Sequence, residues 1–218
     1  MEKSFWLQKW QKNEIGFHNP EAHPLLVEHF PLLELPPGAR LFLPLCGKTL
    51  DIHWLLAQGY RVAGAELSEM AVQQLFEELA LTPEVTEEGA LKHYRSEGLD
   101  IFVGDIFQLR HETLGPVDAI YDRAALVALP QPMRQQYAVH LQELTGTTPQ
   151  LLISFDYDQS QLPGPPFCVD DEEVQRLYGA GYVLQLVDAV DVAGGLKGKV
   201  AALEKVWHLQ PGTGEGNG

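Results

Sequence analysis

The segment Arg40–Ser68, RLFLPLCGKTLDIHWLLAQGYRVAGAELS, decides the fold. Arg40 to Pro44 is an apolar run of strand length, and Cys46-Gly47-Lys48 is a turn. Thr49 to Gln58 carries apolar residues at helical spacing, and Gly59 is the expected stop. Tyr60 to Ala65 reads as a second strand with Glu66 at its tip. Strand, helix, strand is the repeating unit of a parallel α/β sheet. A carboxylate 19 residues beyond Gly47 stands at the spacing that accepts ribose hydroxyls in such folds. A pyrophosphate needs several glycines at this turn, and only Gly47 is present. One glycine suits a nucleoside ligand that carries no phosphate.

Outward from this unit, the alternation continues. Upstream, about Phe5 to Phe30 holds two helical patches, closed off by Pro31 and Pro36-Pro37-Gly38. Downstream, Ser68 is a good N-cap, and Val72, Leu75, Phe76 and Leu79 follow the pattern of a helix covering a sheet. Glu84 to Gly98 is charged and reads as an irregular excursion. Leu99–Gly104 is a third strand closed by Asp105, and Val117–Tyr121 a fourth closed by Asp122-Arg123. Gln131–Leu144 is a helix and Gln150–Phe155 a fifth strand. Asp170 and Glu173 open a further helix in the manner of a capping box. Two final strands, about Tyr182–Val192 and Val200–Leu209, have no helix between them, which suggests an antiparallel hairpin at one edge. The expectation is a seven-stranded, mostly parallel sheet with an antiparallel edge strand, helices on both faces and an N-terminal helical lid. That is the Rossmann-like architecture of the class I S-adenosylmethionine-dependent methyltransferases. A single domain is expected over residues 1–218: a lid segment 1–35, an α/β core 36–210 and a frayed tail 211–218, PGTGEGNG, with nothing to bury.

Composition narrows the class. Of 218 residues 45% are apolar and 21% charged, enough for a sizeable core. Fifteen Lys and Arg against 30 Asp and Glu give a net charge of −15, which repels nucleic acid and anionic membranes. Two cysteines are too few for a disulfide framework. The N-terminus has no apolar leader, and no stretch approaches the ~20 apolar residues of a membrane span. A cytoplasmic monomer is expected. His18 and His23 have no metal-ligand spacing, so no metal is assigned. Cys46 lacks a His-plus-acid arrangement and reads as a small buried residue.

In a parallel sheet, ligands sit beyond the carboxyl ends of the strands. The loaded ends are Leu45-Cys46-Gly47, Glu66, Asp105-Ile106 and Asp122-Arg123. Asp105 either accepts from an adenine amine, with Ile106 on the ring, or caps a turn. Arg123 either faces the reacting end of the site or pairs with Asp122. Trp6, Trp10 and Phe17 form a water-excluding lid, pack a helix against the body, or both.

The runs FLPLCGK (Phe42–Lys48), GAELSE (Gly64–Glu69), YDRAALVAL (Tyr121–Leu129), PGPPF (Pro163–Phe167) and WLQKWQKNEIGFH (Trp6–His18) closely resemble the thiopurine S-methyltransferase family. The resemblance spans about Trp6 to Val206 and suggests a bacterial member. Pro44 stands where methyltransferases of this fold usually carry an acidic residue, and the glycine pattern is reduced to Gly47; the family shares both departures. The resemblance implies S-adenosylmethionine-dependent methylation of the sulfur of aromatic and heterocyclic thiols, thiopurines among them. It implies cofactor binding by residues Trp10, Leu45, Glu66 and Arg123, with Trp6, Asp105 and Ile106 in support, and Phe17 against the substrate. Bacterial relatives are also associated with selenium and tellurium methylation and tellurite resistance. Two other classes stay open at this stage. A nicotinamide-dependent oxidoreductase is disfavoured by the missing phosphate loop, and a non-enzymatic nucleoside-binding module remains.

Overall fold

A computed structural model describes residues 3–12, 14, 16 and 19–212, so most of the expected tail lies outside the described residues. In chain order the elements are α1 (Lys3–Gln11), α2 (Pro24–His29), β1 (Arg40–Pro44), α3 (Leu50–Ala57), β2 (Arg61–Glu66) and α4 (Glu69–Glu78). There follow β3 (Glu84–Glu88), β4 (Leu91–Ser96), β5 (Leu99–Val103), α5 (His111–Leu114), β6 (Ala119–Arg123) and α6 (Gln131–Thr145). The chain closes with β7 (Gln150–Tyr157), α7 (Asp171–Tyr178), β8 (Tyr182–Asp191) and β9 (Ala202–Pro211). All nine strands form one sheet in the order β3-β4-β5-β2-β1-β6-β7-β9-β8. The five central strands run parallel, and both edges are antiparallel.

Strand β1 is buried on both faces, which is why it reads as a continuous apolar run. Its side chains alternate: Phe42 joins the core beneath α6 and α7, while Leu41 and Leu43 join the core beneath α2, α3 and α4. The helices start where their caps dictate. Ser68 accepts from the Ala71 amide at 3.3 Å, and Thr49 accepts from the Asp51 amide at 3.3 Å. Asp170 caps α7 by accepting from the Glu173 amide at 2.8 Å. The reciprocal half of the expected capping box is absent: the Glu173 carboxylate holds Arg134 and Arg176 instead.

The segment 84–98 is not irregular. It forms the hairpin β3–β4, which brings the sheet from seven strands to nine and puts an antiparallel pair on each edge. Its charges hid it, because β3 is exposed along its whole length and shows no apolar alternation. The polar residues of β4 belong to pairings that only the folded sheet supplies. Lys92 reaches the Glu69 carboxylate at 2.8 Å, and Tyr94 donates to it at 2.7 Å. Asp100 on β5 meets His93 at 2.9 Å, Arg95 at 3.1 Å and Arg40 at 3.0 Å. Burial pushes the Asp100 carboxyl up, but these three partners overcome it and hold the group far below the usual range. No helix among the described residues is long and apolar enough to cross a membrane.

Candidate active site

The C-terminal edge of β1, β2, β6 and β7 carries the site. The turn after β1 is built on left-handed backbone at Leu45 (φ 47) and Gly47 (φ 54). The Cys46 amide donates to the Ala65 carbonyl at 3.0 Å and ties the turn to β2. Glu66 then locks the turn from the side. Its carboxylate accepts from the Gly47 amide at 2.7 Å and the Ser68 amide at 2.8 Å. Burial pushes the Glu66 carboxyl up; the amides of Ser68, Gly47 and Leu67 pull it back. Cys46 is buried here, and burial with the nearby Glu66 charge drives its thiol well up, away from the reactive thiolate. A Cβ on Gly47 would lie 2.9 Å from the Trp10 indole, so α1 docks an aromatic directly onto the turn.

Strand β6 ends differently. Asp122 and Arg123 point to opposite faces, as period two requires. Asp122 is fully buried; it accepts from the Tyr137 hydroxyl at 2.7 Å and the Leu126 amide at 3.1 Å. Burial pushes its carboxyl up to about 6. Arg123 lines the opposite side, next to Ala124, a further non-glycine residue in left-handed backbone (φ 61). Burial and the Asp51 charge drive the Tyr121 phenol well up, and the Arg123 charge works against them.

These ends open on one cavity of about 860 Å³, well suited in size to a nucleoside and a small second molecule. Trp6, Trp10, Leu45, Gly47, Glu66 and Arg123 all line it. Asp105 and Ile106 do not. Asp105 caps a short turn, accepting from the Phe107 amide at 3.1 Å, and Ile106 is buried in the core. Phe17 lies outside the described residues. The cavity also recruits residues the sequence did not single out as a site: Phe155 and the cis-proline loop Pro165-Pro166 as apolar wall, with Lys197 donating to the Pro165 carbonyl at 2.6 Å. A polar group joins them. The Asp51 carboxylate accepts from the His23 amide at 2.6 Å and from the Tyr121 hydroxyl at 3.2 Å, and His23 Nε2 lies 3.1 Å from Glu204 Oε1. Tyr121 sits two residues before Arg123 and therefore on the same face, a signal that period-two reading could have used. Outside the cavity, Glu28, His29 and Asp188 bring ligand-type atoms within 4.8 Å of one another; His29 already pairs with Asp188 at 2.9 Å.

The chemistry of this edge fits a nucleoside cofactor without phosphate. It offers a cradle that a Cβ would fill, a buried carboxylate with unused lone pairs, and aromatic cover, but no run of glycine amides for a pyrophosphate.

Comparison with known proteins agrees. The thiopurine S-methyltransferase family model matches residues 1–210. The chain is 58% identical over 211 residues to the thiopurine S-methyltransferase of Xanthobacter autotrophicus, covering 96% of this chain and 99% of that one. It is 49% identical over 207 residues to the corresponding Gluconobacter oxydans protein, covering 95% and 94%. Among solved structures, it resembles the Burkholderia thailandensis 1,6-didemethyltoxoflavin-N1-methyltransferase, with TM-score 0.66, 16% identity and coverage of 95% and 87%. It also resembles the magnesium protoporphyrin IX methyltransferase of Synechocystis PCC 6803, with TM-score 0.60, 14% identity and coverage of 96% and 100%. At such identities the structures establish the fold alone: that of S-adenosylmethionine-dependent methyltransferases. With family model, relatives and fold in agreement, the chain belongs to the thiopurine S-methyltransferase family, a family of S-adenosylmethionine-dependent methyltransferases.

Proposed function

We propose that the chain transfers a methyl group from S-adenosylmethionine to the sulfur of aromatic and heterocyclic thiols, thiopurines among them. One observation carries the reading: a single cavity joins the Gly47–Glu66 turn, an apolar wall and the guanidinium of Arg123. Glu66 keeps lone pairs for ribose hydroxyls, Gly47 and Leu45 admit the cofactor against backbone, and Trp10 and Trp6 cover it. The adenine role that the resemblance implies for Asp105 and Ile106 rests on their place just after β5 at the same edge, since neither lines the cavity. Phe17 and Arg123 are assigned to the substrate. Residues 1–35 serve as the lid of a core spanning 36–210, and one monomer supplies the whole site.

The bound cofactor supplies an electrophilic sulfonium methyl. The chain supplies alignment, which is worth roughly 7–11 kcal/mol when two reactants are held in line. Phe155, Val127 and the proline loop exclude water. This apolar wall would favour transfer from a cationic methyl donor to an anionic thiol, because low dielectric assists a step in which both charges are lost. Arg123 orients the anionic substrate with its planar fork.

The test is labelled methyl transfer to a panel of aromatic thiols, selenite and tellurite. Transfer to the thiols supports the reading. Transfer confined to selenite or tellurite replaces the substrate class. Product binding without transfer to any acceptor leaves a nucleoside-binding module, and tight NAD binding would revive the oxidoreductase.

A further inference from the structure

We infer that Glu204 determines specificity for heterocyclic thiols: its carboxylate accepts the ring N–H that such thiols carry in the thione form. This rests on the thiol methylation proposed above. Glu204 lies on β9 directly opposite Phe155 on β7. Directly opposed residues of an antiparallel pair share a face, and both side chains line the cavity. The next residue, Lys205, points the other way, to Asp156 at 2.6 Å and Asp171 at 2.5 Å. The Glu204 side chain is 17% exposed, so a molecule in the cavity can reach it. His23 Nε2 lies 3.1 Å from Oε1. That neighbour takes up at most one of the about four lone-pair sites that a carboxylate offers.

The wall that carries Glu204 holds charges of both signs. Burial and the Asp51 charge drive the Tyr121 phenol up, Arg123 opposes them and Glu204 adds to them, so both charges act on one place in the wall. A thiolate uses only the cation, and the anion repels it. A thione uses both. Its sulfur is the negative end and turns to the guanidinium, while the adjacent ring N–H is the positive end and turns to the carboxylate. Phe155, beside Glu204, offers the ring an aromatic face. When the cavity fills, the carboxylate loses water, and only a ligand that donates a hydrogen bond offsets that loss. A thiol without the N–H leaves the carboxylate stranded.

Methylation of a thione must also release a proton. The thione sulfur bonds to the methyl carbon through one of its own lone pairs, and the pair of the methyl's old bond stays on the departing sulfur. The ring then carries the positive charge, which weakens its N–H bond. That bond breaks with its pair left on the ring nitrogen, and the proton passes to the Glu204 carboxylate. A neutral aromatic thioether remains, and the carboxyl returns the proton to solvent through the cavity mouth. The same contact therefore selects the substrate and accepts the proton it must lose.

The test compares 2-mercaptopyridine, which carries the N–H as its thione, with thiophenol, which differs from it by one ring atom. Both are assayed with the wild type, Glu204→Gln and Glu204→Asp, each checked for cooperative melting and for binding of S-adenosylhomocysteine. Glu204→Gln should lower kcat/KM for 2-mercaptopyridine about tenfold, the gap between a charged and a neutral acceptor, and leave thiophenol within about twofold. Glu204→Asp keeps the charge but shortens the reach, and its loss on 2-mercaptopyridine should fall in between. A readout without turnover is calorimetric binding of 2-mercaptopyridine and N-methyl-2-thiopyridone to protein saturated with S-adenosylhomocysteine. The wild type should prefer the N–H compound about tenfold, and Glu204→Gln should remove most of that preference. A wild type without the preference, a preference that Glu204→Gln leaves unchanged, or equal losses for both thiols overturns the role of Glu204 alone. If Glu204→Gln does not fold, a Glu204→Asp variant with the wild-type ratio of the two thiols overturns it. A wild type that methylates neither thiol overturns the parent reading and this role with it.

Discussion

Glu66 and Asp122 end the two strands that flank β1, and they share almost everything except a job. Both are buried carboxylates at the same edge of the sheet, and burial pushes both carboxyls up. Both accept from backbone amides, Glu66 from Gly47 and Ser68, Asp122 from Leu126. Yet Glu66 lines the cavity and fastens the turn beneath it, whereas Asp122 faces α6 and is taken up by Tyr137. An acidic residue at a strand end is therefore no mark of function by itself. The face it occupies decides, and at β6 the cavity face belongs to the next residue, Arg123.

The contrast breaks most sharply under substitution. Glu66→Ala should weaken S-adenosylhomocysteine by about 1.5–3 kcal/mol, the scale of hydrogen bonds to a charged group, and also lower stability by about 1–3 kcal/mol, because it strands the Gly47 and Ser68 amides. Asp122→Ala should cost about 1–3 kcal/mol of stability alone: it strands the Tyr137 hydroxyl and leaves product affinity nearly unchanged. Calorimetric titration and thermal melts of the two variants decide it, and equal losses of product affinity in both sink the comparison. Arg123→Lys sharpens it next. The variant should fold and bind product, but lose roughly tenfold in turnover on thiols carrying a carboxylate and less on neutral ones, because the planar fork is gone. Equal loss for both classes would confine Arg123 to the cofactor or the fold. A smaller effect is expected at the turn itself. Gly47→Ala places a Cβ on left-handed backbone, which costs about 1–2 kcal/mol, and pushes against the Trp10 ring 2.9 Å away. Its signature is a shifted tryptophan emission with weakened product binding; unchanged emission would show that Trp10 does not rest on the turn.

What the sequence revealed divides along the same line. Gly47 and Glu66 were legible because one strand–helix–strand unit fixes both their spacing and their edge. Ser68 and Asp170 were legible because caps are local. The hairpin β3–β4 was not, since β3 is exposed throughout and Glu69 and Asp100, which pair with the basic residues of β4, come from other elements. His23, Asp51, Tyr121 and Glu204 come from four separate stretches of chain, and each looks ordinary alone. Left-handed backbone at Leu45 and Ala124 was equally invisible, because neither residue type announces it. Both flank the cavity, where strain of about 1–3 kcal/mol per residue is tolerated when the surroundings hold it. For Asp105 the sequence left capping and adenine recognition open, and the cap is what its observed hydrogen bond makes.

The weakest expected effect isolates Asp122 by pH. Its folded pKa of about 6 lies above the ordinary 3.8, so the folded state binds the proton more tightly than the unfolded chain. The stability this contributes is complete below the unfolded value and disappears as pH rises through about 6. Asp122→Asn keeps the shape, retains an acceptor for Tyr137 or Leu126, and cannot ionise. Other groups, Asp100 among them, titrate alike in both proteins and cancel in the difference. The stability of the wild type minus that of the asparagine variant should therefore grow by about 1 kcal/mol between pH 7 and pH 5, with the wild type gaining as pH falls. Denaturant titrations at the two pH values measure it. A difference that stays flat would place the Asp122 ionisation near its ordinary value. The contrast between the two carboxylates would then rest on orientation alone, and burial on the α6 face would carry no electrostatic cost.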